Sequence, residues 1–321
     1  MPSKKKLTAN PAPKTLDEAF QDFIAEKQAL NRSTATITNL ENSIEKFESF
    51  IESQGLSNSV KDLRVETIQQ FSRFNLDEGM KGTTLNHYLR DIRTFCYWCM
   101  RQRLCSSFKI SLVSEQQTIV ETYTDEEALR LIEKPRDTER FTVWRSWAVI
   151  NFALATGARA GTICNLRVGD IDIKHKEISI RKTKTRIAQV LPLSDALIKA
   201  LKDYMRKWRF DCDNDAFLFP NEQDKQLTTN ALKLSIGKYN NSRGVEKTSI
   251  HAFRHTFAKD YIRNDGNVLK LQRILGHSTL EMTKHYVSLF SEDLKKDYED
   301  FSPLDKLKSG TNRKSAFRKS R

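Results

Sequence analysis

No window of this 321-residue chain approaches the ~18 uninterrupted apolar residues of a membrane span, so the sequence gives no sign of one. The N-terminal lysines of MPSKKKLTANPAPK have no apolar segment behind them, so this stretch does not read as a secretory signal. Cysteine is scarce and odd in number. The five residues, at positions 96, 99, 105, 164 and 212, make no even disulfide framework and point to a reduced, cytoplasmic setting. Cys96 and Cys99 form a C-x-x-C within RTFCYWCMRQRLC, but that run is apolar and helical and has no second ligand pair nearby. Buried thiols are therefore expected there rather than zinc. Glycine-rich phosphate loops, metal-ligand clusters, internal repeats and low-complexity segments outside the tails are likewise lacking, so no metal or cofactor is expected.

Acids are missing from both ends of the chain. Residues 1–14 carry four lysines and residues 306–321 carry seven Lys or Arg, without one Asp or Glu. Removing those eleven from the 54 bases leaves 43 against 41 acids, so the net charge of +13 lies mostly in two tails expected to be disordered. Charge is also segregated within the body. Residues 15–80 hold six bases and twelve acids, whereas residues 81–109 hold six bases and one acid. That second stretch reads as a helix with Arg90, Arg93, Arg101 and Arg103 off its apolar face and Lys81 before it. Thr83 or Thr84 is the expected cap. A basic helical face with Thr, Asn and His at its N-terminal end suits a DNA groove, although a solvated surface helix has the same pattern.

Hydrophobic periodicity predicts amphipathic helices over LDEAFQDFIAEKQAL and from Ser33 to a stop at Gly55. A shorter helix follows at VETIQQFSRFNL, and the basic helix is the fourth. These form an all-α domain over residues 15–110. A linker is placed at 111–122, and a new helix cap appears at Thr124 with Glu127. Beyond it, RFTVWRSWAVINFALATGA is a mostly apolar helix ending at Gly157, and EISIRK and IAQVLPL alternate as a β-hairpin around TKTR. From Ser194 the pattern is helical again. The fold class is mainly α with a small β-sheet, in two domains, the second spanning 123–305.

Chemistry-bearing residues recur in a fixed order. Arg159 follows a turn in ATGARAGTICNL; Lys184 lies in the hairpin; His251 and Arg254 stand three apart in HAFRHTF and share a helix face. His277 then sits in the helix break of LGHS, and Tyr286 follows nine residues later. Singly, each has an ordinary structural explanation as a cap, a surface ion pair or a core-edge aromatic. In this order the chain resembles the tyrosine recombinase (phage integrase) family over roughly residues 15–300.

The resemblance implies a SAM-like all-α core-binding domain followed by a mixed α+β catalytic domain. TGAR matches the box of the first arginine, Arg159. HAFRH matches the H-x-x-R box, with His251 and Arg254, and LGHS supplies His277. The nucleophile falls on Tyr286. The hairpin lysine matches Lys184, eight residues before Pro192, with Lys182 as the alternative. The family commonly has an acid three positions after the first arginine, and here Thr162 stands in its place. That departure bears on efficiency more than on reaction class.

The expected activity is site-specific DNA recombination through a 3′-phosphotyrosine, without cofactor. The implied partners are double-stranded recombination sites and further copies of the chain, as a tetramer on two paired sites. Accessory DNA-bending proteins are a further partner class that the resemblance allows. The expected location is cytoplasmic, at the nucleoid. A type IB topoisomerase and a non-cleaving DNA-binding protein are the competing readings. The short basic leader before residue 15 leaves no room for an arm-binding domain, which points to recognition of core sites alone.

Overall fold

The computed structural model describes residues 14–114, 120–180, 189–277, 279, 280, 283 and 286. The chain divides into two compact units, Met1–Thr118 and Ile119–Arg321.

In the first unit, α1 (Leu16–Ala29) begins at Thr15, whose hydroxyl accepts from the Glu18 N–H while the Glu18 carboxylate accepts from the Thr15 N–H. Helix α2 (Thr34–Ser53) is capped by Ser33, and Gly55 follows it in the left-handed region. Helices α3 (Val65–Asp77) and α4 (Gly82–Arg101) complete the unit. Thr83 and Thr84 do not cap α4 as the sequence suggested. The helix starts at Gly82, with the N-cap at Lys81, two residues before Thr83, and no side-chain cap. The Leu85 N–H already reaches the Lys81 carbonyl at 3.0 Å, which sets Leu85, Leu89 and Ile92 into the core.

That core is aromatic. Phe47 meets Phe71 edge-on at 5.3 Å between ring centroids, and Phe23 meets Phe95 at 5.6 Å. Each fully buried ring contributes on the order of 1.5–3 kcal/mol. Cys96 and Cys99 are fully buried among these rings, and burial raises both thiols, Cys99 to about 12.

The second unit is built around α6 (Phe141–Thr156). Apolar on nearly every side, it packs against α5 (Asp125–Ile132), α8 (Asp195–Trp208), α9 (Thr229–Ser242) and α10 (Ile250–Arg263). Thr124 and Glu127 form the expected capping box on α5, and the Ser194 hydroxyl caps α8. Tyr123 fastens the unit's first residues to α10. Its ring stacks on Phe253 at 4.2 Å, and its backbone N–H donates to the Thr256 hydroxyl at 2.8 Å.

The sheet has three antiparallel strands in the order β1 (Ile171–Asp172), β2 (Glu177–Ile180), β3 (Gln189–Pro192). Ile178 pairs with Leu191, and Ile178 and Ile180 point into the core. Strands β2 and β3 are the hairpin read from the alternation. β1 is an addition, because two residues are too few to show a period. The unit also holds the single turn α7 (Ala160–Ile163), after α6, and α11 (Val268–Leu275), after α10.

Candidate active site

The site forms where two helices end. Helix α6 stops at Gly157, with φ 62°, and α11 stops at Gly276, with φ 60°. Both glycines adopt the left-handed conformation that ends helices cheaply only without a Cβ. At Gly157 space forbids one as well, since a Cβ would lie 2.7 Å from both Leu275 Cδ2 and Phe257 Cδ1. The two helix ends are thereby brought together, and their last carbonyls, without partners inside the helix, turn toward a shared space.

Two arginines fill it. Arg254, on α10 and 5% exposed, donates from Nη1 to the Gly157 carbonyl at 2.8 Å and from Nη2 to the Leu275 carbonyl at 2.9 Å. Arg159, at the N-cap of α7, donates to the Leu275 carbonyl at 3.2 Å and to the Gly276 carbonyl at 3.4 Å. Among the described residues neither guanidinium pairs with a carboxylate; helix-end carbonyls hold them instead, with the negative ends of two helix dipoles behind those carbonyls. Burial, then Arg159, depresses Arg254 to about 10, and burial depresses Arg159 as well. Both stay charged at neutral pH.

Tyr286 lies against them. It is 6% exposed and packs on Ala258, Leu271 and Leu275. Its hydroxyl is 2.9 Å from His255 Nδ1 and is also hydrogen-bonded to Arg254. Burial raises the phenol above its ordinary value, and Arg254 and Arg159 oppose that rise. The His277 ring stacks on Tyr286 with an interplanar angle of 3° and a centroid distance of 6.1 Å. On its other edges it meets Arg254 Nη2, 2.6 Å from Nε2, and the Thr283 hydroxyl, 2.8 Å from Nδ1. Burial, Arg254 and Arg159 push His277 down to about 4, so it is neutral at pH 7. His251, one turn before Arg254 and exposed, is lowered by partial burial, Lys233, Arg254 and Arg159.

The structure therefore gathers Arg254, His277 and Tyr286 in direct contact, with Arg159 on the carbonyl it shares with Arg254 and His251 near enough to feel both arginines. Lys184 and its alternative Lys182 lie outside the described residues. The start of β3 lies beside the site, because Gln189 donates to the Ile274 carbonyl at 3.1 Å and to that of Arg273. Two residues given no role from the sequence belong here, His255 and Thr283. His255 is four residues after His251 and one after Arg254, a spacing that puts it on the edge of the same helix face. Nothing in the sequence marks Thr283.

The five basic candidates of the first unit lie elsewhere. Arg90 and Arg101 fall on the exposed stripe of α4 with Thr83, His87, Thr94 and Tyr97. Lys81 is exposed before the helix and Arg103 after it, while Arg93 is half-buried beside the stripe.

The sequence profile of the phage integrase family matches residues 121–292. The chain is 25% identical over 287 residues to a tyrosine recombinase XerC of Thermodesulfovibrio yellowstonii, covering 85% of this chain and 92% of that one. It is 24% identical over 298 residues to a tyrosine recombinase XerD of Staphylococcus epidermidis, covering 90% and 99%. Among solved structures, the Tn1549 transposon integrase in complex with a circular intermediate DNA has a TM-score of 0.71 at 19% identity, over 88% of this chain and 96% of that one. The XerH site-specific recombinase bound to a palindromic difH substrate has a TM-score of 0.67 at 21% identity, over 88% and 83%.

Proposed function

Because this chain belongs to the phage integrase family, we propose that it is a site-specific DNA recombinase that breaks and rejoins strands through a phosphotyrosine at Tyr286. The observation that carries this reading is the pair of guanidiniums, Arg159 and Arg254, held among the described residues by carbonyls rather than carboxylates, beside a buried phenol. A carboxylate partner would cancel the charge that a phosphodiester needs. Here the positive charge is left for the non-bridging oxygens, whose negative charge grows as the tyrosine oxygen attacks.

In that attack the Tyr286 oxygen bonds to phosphorus and the 5′ oxygen leaves, which yields a 3′-phosphotyrosine and a 5′ hydroxyl. The phenol must lose its proton, and His255, whose Nδ1 lies 2.9 Å from the hydroxyl, is placed to accept it, with neutral His277 parallel to the phenol ring. His251 donates to the phosphate. The leaving oxygen must gain a proton, and we assign that to Lys184, with Lys182 as the alternative. The broken bond is conserved in the phosphotyrosine, so attack by a 5′ hydroxyl reseals the strand without nucleotide hydrolysis.

The first unit, with Lys81, Arg90, Arg93, Arg101 and Arg103, is the second hold on duplex DNA in this reading. The stripe of α4 supports that role through its charge and its hydroxyl, imidazole and phenol groups. Recombination needs two sites, so the working form is a tetramer on paired duplexes. The segment 287–304, with Phe290, Leu294 and Tyr298 spaced by four, is the element proposed to pass to a neighbouring copy. It lies outside the described residues.

The test uses a plasmid carrying two copies of the duplex that the protein selects from a random-sequence pool. A recombinase deletes or inverts the intervening segment. Relaxation of supercoils without exchange indicates a topoisomerase, and binding without strand breakage indicates a DNA-binding protein alone.

A further inference from the structure

The hydroxyl of Thr283, which is wholly buried, lies 2.8 Å from His277 Nδ1. Which of the two donates is decided on the opposite side of the ring. There Arg254 Nη2 stands 2.6 Å from Nε2. A guanidinium nitrogen has hydrogens to give and no capacity to accept. Nε2 must therefore be the bare nitrogen. A neutral imidazole carries one ring hydrogen, which then sits on Nδ1 and is donated to Thr283 Oγ1.

Thr283 is also linked to the tyrosine. Both residues are helical and stand three positions apart, so the acceptor for His277 and the phenol are near neighbours in the chain. The phenol is held by His255 at 2.9 Å, and its ring is parallel to that of His277 with 6.1 Å between centroids.

We propose that Thr283 is a positioning residue that ties the protonation form of His277 to the seating of Tyr286. With Thr283 and Tyr286 seated, Nδ1–H has its acceptor, and a basic Nε2 faces the arginine pair beside the phenol. When these two residues are displaced together, the acceptor leaves with the tyrosine. The ring is then released to carry its hydrogen on either nitrogen, and the Nε2–H form opposes the N–H of Arg254. The site reaches its reactive protonation state only when the nucleophile is in place. This proposal rests on the nucleophilic role of Tyr286.

The test uses the full chain with isotope-labelled histidine, the His277 ring being assigned by its absence in His277→Gln. Nitrogen chemical shifts of the free protein should show a protonated Nδ1 and a bare Nε2. Thr283→Val fills the same space without the hydroxyl. It should give a mixture of ring forms and lower covalent-adduct formation on a nicked duplex about tenfold, with binding to that duplex unchanged. Thr283→Ser restores the hydroxyl and should return both readings to wild type. A wild-type ring protonated on Nε2, or a valine variant with unchanged ring form and adduct rate, overturns the proposal. A wild type with the expected ring form that makes no adduct overturns the nucleophile reading, and the coupling with it, leaving only a hydrogen bond.

Discussion

Arg159 and Arg254 share one acceptor, the carbonyl oxygen of Leu275 at the end of α11, at 3.2 and 2.9 Å. Among the described residues a helix terminus, rather than an acid, meets these two like charges. The carbonyls fix both side chains without neutralising either, which suits the proposed binding of a phosphate there.

The two arginines should nevertheless respond differently to substitution. Arg254 makes short bonds to Gly157 and Leu275 from a buried position, whereas the bonds of Arg159 are 3.2 to 3.4 Å long. A lysine head cannot span the acceptors that a guanidinium fork does. Arg254→Lys and Arg159→Lys should each slow adduct formation by about 100-fold or more. Only Arg254→Lys should also destabilise the catalytic unit, by about 1–3 kcal/mol in denaturant unfolding. Equal losses of stability would mean that the carbonyl contacts do not hold the fold at this point.

His255 keeps the Tyr286 hydroxyl 2.9 Å from its Nδ1. His255→Phe preserves the ring volume and leaves the phenol without this partner. Adduct formation should fall about tenfold with duplex binding unchanged, and His255→Gln should recover part of the loss. Single-turnover rates on a nicked duplex measure this. A phenylalanine variant as fast as wild type would leave the contact without catalytic meaning.

His277 titrates at about 4 in the folded chain, against the ordinary value of 6.5, because of burial, Arg254 and Arg159. Between those values the unfolded chain binds a proton at this ring that the folded chain refuses. Its contribution to stability is therefore whole above about 6.5 and is lost as the pH falls toward about 4. His277→Gln should flatten the fall in stability across that window relative to wild type. Urea unfolding at several pH values decides it, and parallel curves would argue against a neutral buried ring.

Much of this arrangement is legible in the sequence because the signals are local. Thr15, Ser33, Thr124 and Ser194 announce helix starts through hydroxyls that accept backbone N–H groups. Gly157 and Gly276 announce the helix ends that build the site. What escapes the sequence depends on contacts between distant segments. Thr83 and Thr84 are good caps by type, yet core packing of Leu85 and Leu89 starts α4 before them. His251 and Arg254 do share a face, but one is exposed and the other buried, because Gly157 and Leu275 close over Arg254 alone. His255 carried no role in the sequence although its spacing from His251 suits the same helix face, and only the fold brings Tyr286 to it. Thr283 was invisible, since its role lies in a hydrogen bond to a ring six residues earlier.

The proposed acid, Lys184, is tested by chemistry rather than by position. A 5′-bridging sulfur leaves without needing a proton. Lys184→Ala should be slow on ordinary DNA and largely rescued on the sulfur-substituted duplex. Equal slowness on both rejects the role, and rescue of Lys182→Ala instead transfers it.

The account stands most directly on the bond between Tyr286 and DNA. The full chain is incubated with a nicked duplex that traps the cleaved strand, and the products are run on a denaturing gel. Wild type should give a covalent protein–DNA band whose digestion leaves a nucleotide on the peptide containing Tyr286. Tyr286→Phe removes one oxygen and little packing, so it should bind the duplex as wild type does and give no band. A phenylalanine variant that still forms the adduct, or a wild-type adduct mapped to another residue, contradicts the account.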